Sequence, residues 1–243
     1  MNAWFTEIQE KFILDFVEKE RWRFITTGLG NTLKITVMAL ILGLIIGVII
    51  AVVRTSHDQI GGKNLKGFGG FFLKLANLIC RLYLTVIRGT PTLVQLLLIY
   101  FVFLVNCNNK ILVATIAFGV NSGAYIAEIV RSGIMSIDKG QMEAGRSLGL
   151  NYTQTMRHII MPQAVKNVLP AMVNEMITLL KETSICGYIG LQDLTRGGDI
   201  IRGNTFDALL PLLAVAAIYL VIVMFFTYLM GRLERRLRVS DHR

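Results

Sequence analysis

Uncharged stretches long enough to cross a bilayer recur along the chain. Ile35 to Val53 lies between Lys34 and Arg54, Gly89 to Asn109 lies between Arg88 and Lys110, and Ala208 to Gly231 runs up to Arg232. A helix rises about 1.5 Å per residue, so about 20 apolar residues match a hydrocarbon core of about 30 Å. Ile111 to Val130 carries one carboxylate, Glu128, near its end and still predicts a span. Val168 to Leu180 is shorter and contains Pro170 and Glu175, which predicts an irregular fifth helix. The expectation is an all-α integral membrane protein with five transmembrane helices, at 30–53, 84–106, 111–131, 168–186 and 208–231.

Outside these runs the pattern changes. Phe5, Ile8, Phe12 and Phe16 recur at three- and four-residue spacing with Glu7, Glu10, Lys11 and Asp15 between them, so residues 1–27 predict an amphipathic segment on the outer interface. They contain no continuous apolar stretch of the kind a cleavable signal needs. Residues 55–70, with Gly61, Gly62, Gly67, Gly69 and Gly70, predict a flexible loop. No period of 20 to 50 residues repeats, which argues against solenoids and internally duplicated transporters.

Composition agrees with a membrane protein: of 243 residues 53% are hydrophobic and 17% charged, and the net charge is +9. Such an excess in a soluble chain would suggest nucleic acid, whereas in a membrane protein it collects in cytoplasmic segments, and no nucleic-acid partner is expected. The cations do collect. Arg54, Lys63, Lys66, Lys74 and Arg81 lie between the first two spans, Arg131, Lys139, Arg146, Arg157 and Lys166 between the third and fourth, and Arg232, Arg235, Arg236, Arg238 and Arg243 in the tail. With five spans this puts the N-terminus outside and the C-terminus, including the tail 238–243, in the cytoplasm. Cys80, Cys107 and Cys186 are odd in number and lack C-x-x-C spacing, so they read as free thiols.

The chain has no G-x-x-x-x-G-K-[ST] loop, and His57, His158 and His242 have no ligand spacing. Catalysis, a bound cofactor and a metal are not expected. On a helical wheel Asn174, Glu175, Thr178, Lys181 and Glu182 fall within one arc. A polar stripe in a span lines a solute pathway or forms an interhelical network, and spacing leaves both open. Glu128 and Arg131 form an i,i+3 pair that either stabilises a helix end or touches the solute. Arg88-Gly89-Thr90-Pro91 offers a capping Thr, a Pro at the first helical position, and exposed N–H groups beside a guanidinium. That makes it either a plain helix start or a carboxylate receptor. Between Asp138 and Pro162, Gly140 and Gly149 punctuate one short helix, Asn151 caps a second, and Pro162 predicts a break. Two short cytoplasmic helices suit a docking surface or a simple interfacial loop.

These residues resemble a known family. Glu143-Ala144-Gly145, then Gly149, Ile159 and Pro162, resemble the E-A-A loop of ABC importer membrane subunits, with Gly145 in place of the third Ala and Met161 in place of a Leu. Arg88-Gly89-Thr90-Pro91, the run Asn121 to Arg131, Asn174-Glu175 with Leu179 to Ser184, and Leu233 to Leu237 are similar to the polar amino-acid branch, the permeases for histidine, glutamine, glutamate, arginine and cystine. The resemblance implies a type I permease domain over 28–237 with the coupling helix within 138–162. It further implies a second permease subunit, ABC ATPase subunits that use ATP and magnesium, and an external solute-binding protein that delivers a polar amino acid. By the same resemblance Glu143, Ala144, Gly145, Gly149, Ile159 and Pro162 couple to the ATPase. The polar positions read above, Arg88, Thr90, Glu128, Asn174, Glu175, Thr178, Lys181 and Glu182, are the candidates for the substrate pathway. An ion-coupled secondary transporter, a non-transporting scaffold and a permease for another small polar solute are the alternatives.

Overall fold

The computed structural model describes residues 2–59 and 68–239. Ten α-helices run among them: α1 (Asn2–Phe12), α2 (Trp22–Gln59), α3 (Phe68–Gly89), α4 (Thr92–Leu98), α5 (Lys110–Met135), α6 (Lys139–Ser147), α7 (Tyr152–Thr155), α8 (Met161–Glu182), α9 (Leu194–Thr205) and α10 (Leu209–Val239). By length and apolar composition α2, α3, α5 and α10 are candidate membrane spans, and Thr92–Phe103 is a shorter apolar helix.

Several expected boundaries move. The span expected at 30–53 lies within a longer helix: α2 runs from Trp22 to Gln59 and has 38 residues, so the border drawn at 27/28 falls inside it. The span expected at 84–106 is not one helix. It divides at Thr90-Pro91 into the end of α3 and the start of α4, because proline removes an N–H and disfavours the helical region for its predecessor. Thr90 Oγ1 donates to the Val86 carbonyl at 2.8 Å, closing α3, and α4 begins at Thr92 rather than with Pro91 inside it. Of the predicted flexible loop, 55–59 belong to α2 and 68–70 to α3, while Gly61, Gly62, Gly67, Lys63 and Lys66 lie outside the described residues. The predicted break at Pro162 is absent. A π turn at Met156–Ile160 widens the backbone just before the ring, and the helix continues into α8. The stretch 182–207 is largely helical, with a 3-10 run at Thr183–Ile189 followed by α9.

The chain divides into two compact units. The first comprises the stretch up to Ala39, Thr92–Phe118 and Ile177–Leu229. Its core holds Ile25, Leu194, Ile201 and Val215, with Phe16, Phe24 and Tyr219 packed against it. Polar bonds lock α2 to the start of α9: Asn31 Nδ2 donates to the Gln192 carbonyl at 2.8 Å, Gln192 Nε2 to the Phe24 carbonyl at 3.0 Å, and the Leu194 N–H to Thr32 Oγ1 at 3.1 Å. Asp193 is fully buried and caps α9, accepting from the N–H groups of Thr195 and Arg196 at 3.0 and 3.2 Å. Burial pushes its carboxyl up to about 6, against the opposing pull of those N–H groups.

The second unit comprises Leu40–Pro91, Gly119–Met176 and the stretch from Met230 onward. Gly43 and Gly47 of α2 meet Gly119 and Gly123 of α5, each pair four residues apart on one helix face. A Cβ on Gly47 would lie 2.6 Å from Ile126 Cγ2, so the helices approach more closely than a side chain at this position would allow. Ile50, Leu84, Ala124 and Ala127 form one core cluster, and Ile134, Ile160 and Ala164 another.

Candidate functional site

Charged groups gather where α2, α3 and α5 meet in the second unit. Arg54 Nη1 lies 2.5 Å from Glu128 Oε1, and Arg131 Nη2 lies 3.3 Å from Glu128 Oε2. Arg131 Nη1 is 3.6 Å from Asp58 Oδ2, which extends the chain of alternating charge to a fourth group. An open cleft of about 370 Å³ is lined by Arg54, Arg81, Thr85, Arg88 and Glu128. The Arg88 guanidinium stacks 5.6 Å from the centre of the Tyr125 ring. Four guanidiniums and two carboxylates leave an excess of two positive charges, so the cleft favours an anionic group beside the one carboxylate that lines it.

The predicted pair Glu128–Arg131 therefore forms, as part of a larger network. Arg88 lines the cleft with Glu128, whereas the Thr90 hydroxyl bonds backward into α3. Sequence reasoning missed Arg54, Arg81 and Asp58 as site residues, since Arg54 and Arg81 read there only as cations between the first two spans. Their signal was helical spacing: Arg81 and Arg88 are seven residues apart, two turns on one face of α3.

The stripe on α8 divides in character. Ser122 Oγ of α5 donates to Glu175 Oε1 at 2.7 Å. Asn174, Thr178 and Lys181 are exposed, while Ile177, Leu179 and Leu180 are buried. The helix thus turns its apolar side inward and presents amide, hydroxyl and ammonium outward.

The segment from Asp138 to Pro162 folds into a compact knob. Asp138 caps α6 through the Gly140 N–H at 2.6 Å. Gly149 ends it in the left-handed region at φ 82, with the Gly149 N–H on the Arg146 carbonyl and the Leu150 N–H on the Gly145 carbonyl, the Schellman pattern. Asn151 and Gln154 form a reciprocal capping box at the start of α7, both bonds 2.9 Å. Gly145 is buried against α7, where a Cβ would lie 2.5 Å from Thr155 Cγ2. Glu143, Ala144 and Leu148 stay exposed, Leu148 at 79%, while Ile159 packs on the cluster of Ile134, Ile160 and Ala164. Among the described residues no three His, Cys, Asp or Glu side chains gather as metal ligands would.

A family model described as "Binding-protein-dependent transport system inner membrane component" matches residues 68–239. The arginine transport system permease protein ArtQ of Bacillus subtilis is 38% identical over 221 residues, covering 90% of this chain and 94% of its own length. The glutamine transport system permease protein GlnP of Escherichia coli is 40% identical over 176 residues, 71% of this chain and 79% of its own. A solved amino acid ABC transporter with histidines superposes with a TM-score of 0.77 at 41% identity, covering 88% of this chain and 94% of that one. The inward-facing MetNI methionine ABC transporter gives 0.74 at 20% identity, covering 90% and 98%, which shows a shared fold.

Proposed function

This chain belongs to the family of binding-protein-dependent transport system inner membrane components, and from that premise we propose that it is the permease subunit of an ABC importer for a polar amino acid. The observation that carries the substrate class is the cleft. Every amino acid brings a carboxylate and an ammonium on one carbon, and the cleft sets Arg81 and Arg88 beside a single carboxylate, Glu128. The guanidiniums receive the carboxylate and Glu128 attracts the ammonium, each by charge-assisted hydrogen bonds. The relatives that transport glutamine and arginine support this reading.

The finer parts of the proposal follow. The basic segments lie in the cytoplasm, which puts the N-terminus outside, and α8 crosses the membrane as a fifth span with its polar face on the route. The knob from Asp138 to Pro162 enters a groove on a separate ATPase, with exposed Glu143, Ala144 and Leu148 as its contact face. ATP-driven closure of two ATPase subunits moves two such knobs and rocks two permease subunits, so the solute route opens outward and then inward. An external solute-binding protein delivers the amino acid. Membership in a binding-protein-dependent family favours this over an ion-coupled transporter.

The test is uptake by proteoliposomes holding the complete importer, its ATPase and its binding protein. Arg88→Met removes one charged hydrogen bond to the carboxylate, worth about 1.5–3 kcal/mol, so apparent affinity should fall about 10- to 150-fold while basal ATP hydrolysis persists. Unchanged uptake kinetics in both Arg88→Met and Arg81→Met would remove the cleft from the pathway.

A further inference from the structure

Between Trp4 and Glu20 the described side chains are exposed or half-buried with one exception, and that exception is a carboxyl: Asp15 is 0% exposed. Neither of its oxygens has a hydrogen-bond partner, and neither has the buried Oδ2 of Asp207. Asp207 Oδ1 is engaged, accepting the Leu209 N–H at 2.9 Å at the start of α10. Asp207 and the Thr205 hydroxyl both lie within side-chain interaction range of Asp15. That hydroxyl donates to the Ile201 carbonyl at 3.0 Å and accepts the Asp207 N–H at 3.4 Å, which fixes it beside the pair. Three unpartnered buried carboxylate oxygens therefore belong to two carboxyls that act on each other where the N-terminal segment meets the α9–α10 turn. Two acceptors repel until something positive stands between them.

We propose that Asp15 and Asp207 hold one proton between them, and that this shared proton clasps the N-terminal segment to the entrance of α10. The charges around the pair favour a proton. Arg21 is buried, acts on Asp15 and donates through Nη1 to the Leu14 carbonyl. Two carboxylates and one guanidinium carry a net charge of −1, which one proton cancels and a divalent cation overshoots. Among the described residues no third carboxylate, His or Cys completes a metal site. Lys11, the other cation in the field of both carboxylates, is exposed and engaged by Glu7. Burial pushes the Asp15 carboxyl up and the Asp207 charge adds to this, while Thr205 and Arg21 pull it down.

The clasp has work to do because the fold-back is strained. Lys19 and Glu20 both sit at positive φ, 52 and 53, a region that brings Cβ too close to the following carbonyl oxygen. Phe16 against the Ile25 cluster, Arg21 on the Leu14 carbonyl and the Asp15–Asp207 pair hold the segment against that strain. The sign of the pH effect follows from proton uptake on closure. The clasp is fully made below the ordinary aspartate value of 3.8 and weakens as pH rises toward the raised value of Asp15, about tenfold per pH unit, then levels off. On the orientation proposed above, the pH that matters is the external one.

Hydrogen exchange of the segment 4–21, corrected for intrinsic rates and followed across pH on the full chain in lipid nanodiscs, tests the proposal without reading transport. In the wild type, protection should fall about tenfold per pH unit through the window and then flatten. In Asp207→Asn the amide oxygen still accepts the Leu209 N–H, and the amide N–H groups donate permanently to Asp15, so protection should stay high with no transition. Asp15→Asn offers the same donor from the other side and should also abolish the transition. Protection independent of pH in the wild type, or a transition that survives both substitutions, would overturn the shared proton. Release of the segment by EDTA at constant pH would replace the proton with a metal ion and overturn it as well.

Discussion

Gly145 stands where the E-A-A pattern has alanine, and the structure makes that difference measurable. A Cβ built on Gly145 lies 2.5 Å from Thr155 Cγ2, 2.8 Å from Thr155 Oγ1 and 3.2 Å from Ile159 Cδ1. Ordinary carbon–carbon contact needs about 3.5–4.0 Å, so Gly145→Ala forces α6 and α7 apart by about 1 Å. Overpacking of this kind costs about 1–3 kcal/mol, a 5- to 150-fold rise in local opening. Thr155→Ala removes both offending atoms at the cost of the hydroxyl bond to the Asn151 carbonyl, 3.1 Å. The double variant should recover most of what Gly145→Ala loses, giving a favourable coupling of about 1–3 kcal/mol. Hydrogen exchange of residues 139–160 in the assembled importer reads the cycle, with ATP hydrolysis stimulated by loaded binding protein as a second readout. Additive losses in both would show that the knob does not owe its shape to this contact.

Two further outcomes are expected. Gly47→Leu drives a side chain into Ile126 and toward the Ala127 backbone N–H, which lies 3.0 Å from the built Cβ. No well-folded chain should be recovered in detergent, with Gly47→Ala intermediate, and a monodisperse Gly47→Leu chain with wild-type cross-linking between α2 and α5 would refute the close crossing. Asp193→Asn keeps an acceptor for the α9 N–H groups and removes the cost of ionising a buried carboxyl. In the wild type, protection of α9 should decline as pH rises from 3.8 to about 6, losing at most about 3 kcal/mol; the variant should lack this slope, and an identical slope would exclude Asp193 as its source.

What the sequence revealed and what it concealed differ by kind of helix. α2, α5 and α10 were legible because their cores are uninterrupted apolar runs. The helix α3 was concealed because Lys74, Arg81 and Arg88 break up its run, so that Lys74 and Arg81 read as charges between spans. Around them stand Phe71, Phe72, Leu75, Leu78, Ile79, Leu82 and Val86, all exposed on the folded chain in the manner of an amphipathic helix. The cleft was half legible for the same reason. Arg88 and Glu128 stood out at the edges of apolar runs, whereas Arg54 and Glu128 are 74 residues apart, and no local pattern reports such a pair. The knob was the most legible part, because each end of its helices is fixed by a local residue, Asp138, Gly149 or Asn151. Pro162 misled, since the π turn before it absorbs the ring by a backbone adjustment that sequence does not announce.

The exposed polar face of α8 bears on why such a chain works in company. Apolar surface for lipid is plentiful elsewhere: Val37, Ile41, Ile45 and Ile49 on α2, and Leu220, Val221, Met224 and Phe225 on α10, are all exposed. Asn174, Thr178 and Lys181, at steps of four and three, place one exposed polar line along a helix whose opposite side buries Leu179 and Leu180. A lysine facing hydrocarbon at depth costs about 2.5–3.5 kcal/mol on insertion scales, and an amide and a hydroxyl beside it add to that. If α8 crosses the membrane as proposed, lipid is the wrong neighbour for this line, and water or another polar surface is the right one. The second permease subunit proposed above would set a like line against this one, because a two-fold contact brings like surfaces together. In that arrangement the two lines would border a hydrated route, and the Glu175–Ser122 bond anchors α8 to α5. The same feature that made α8 the least convincing span in the sequence is, on this argument, what commits the chain to a paired assembly.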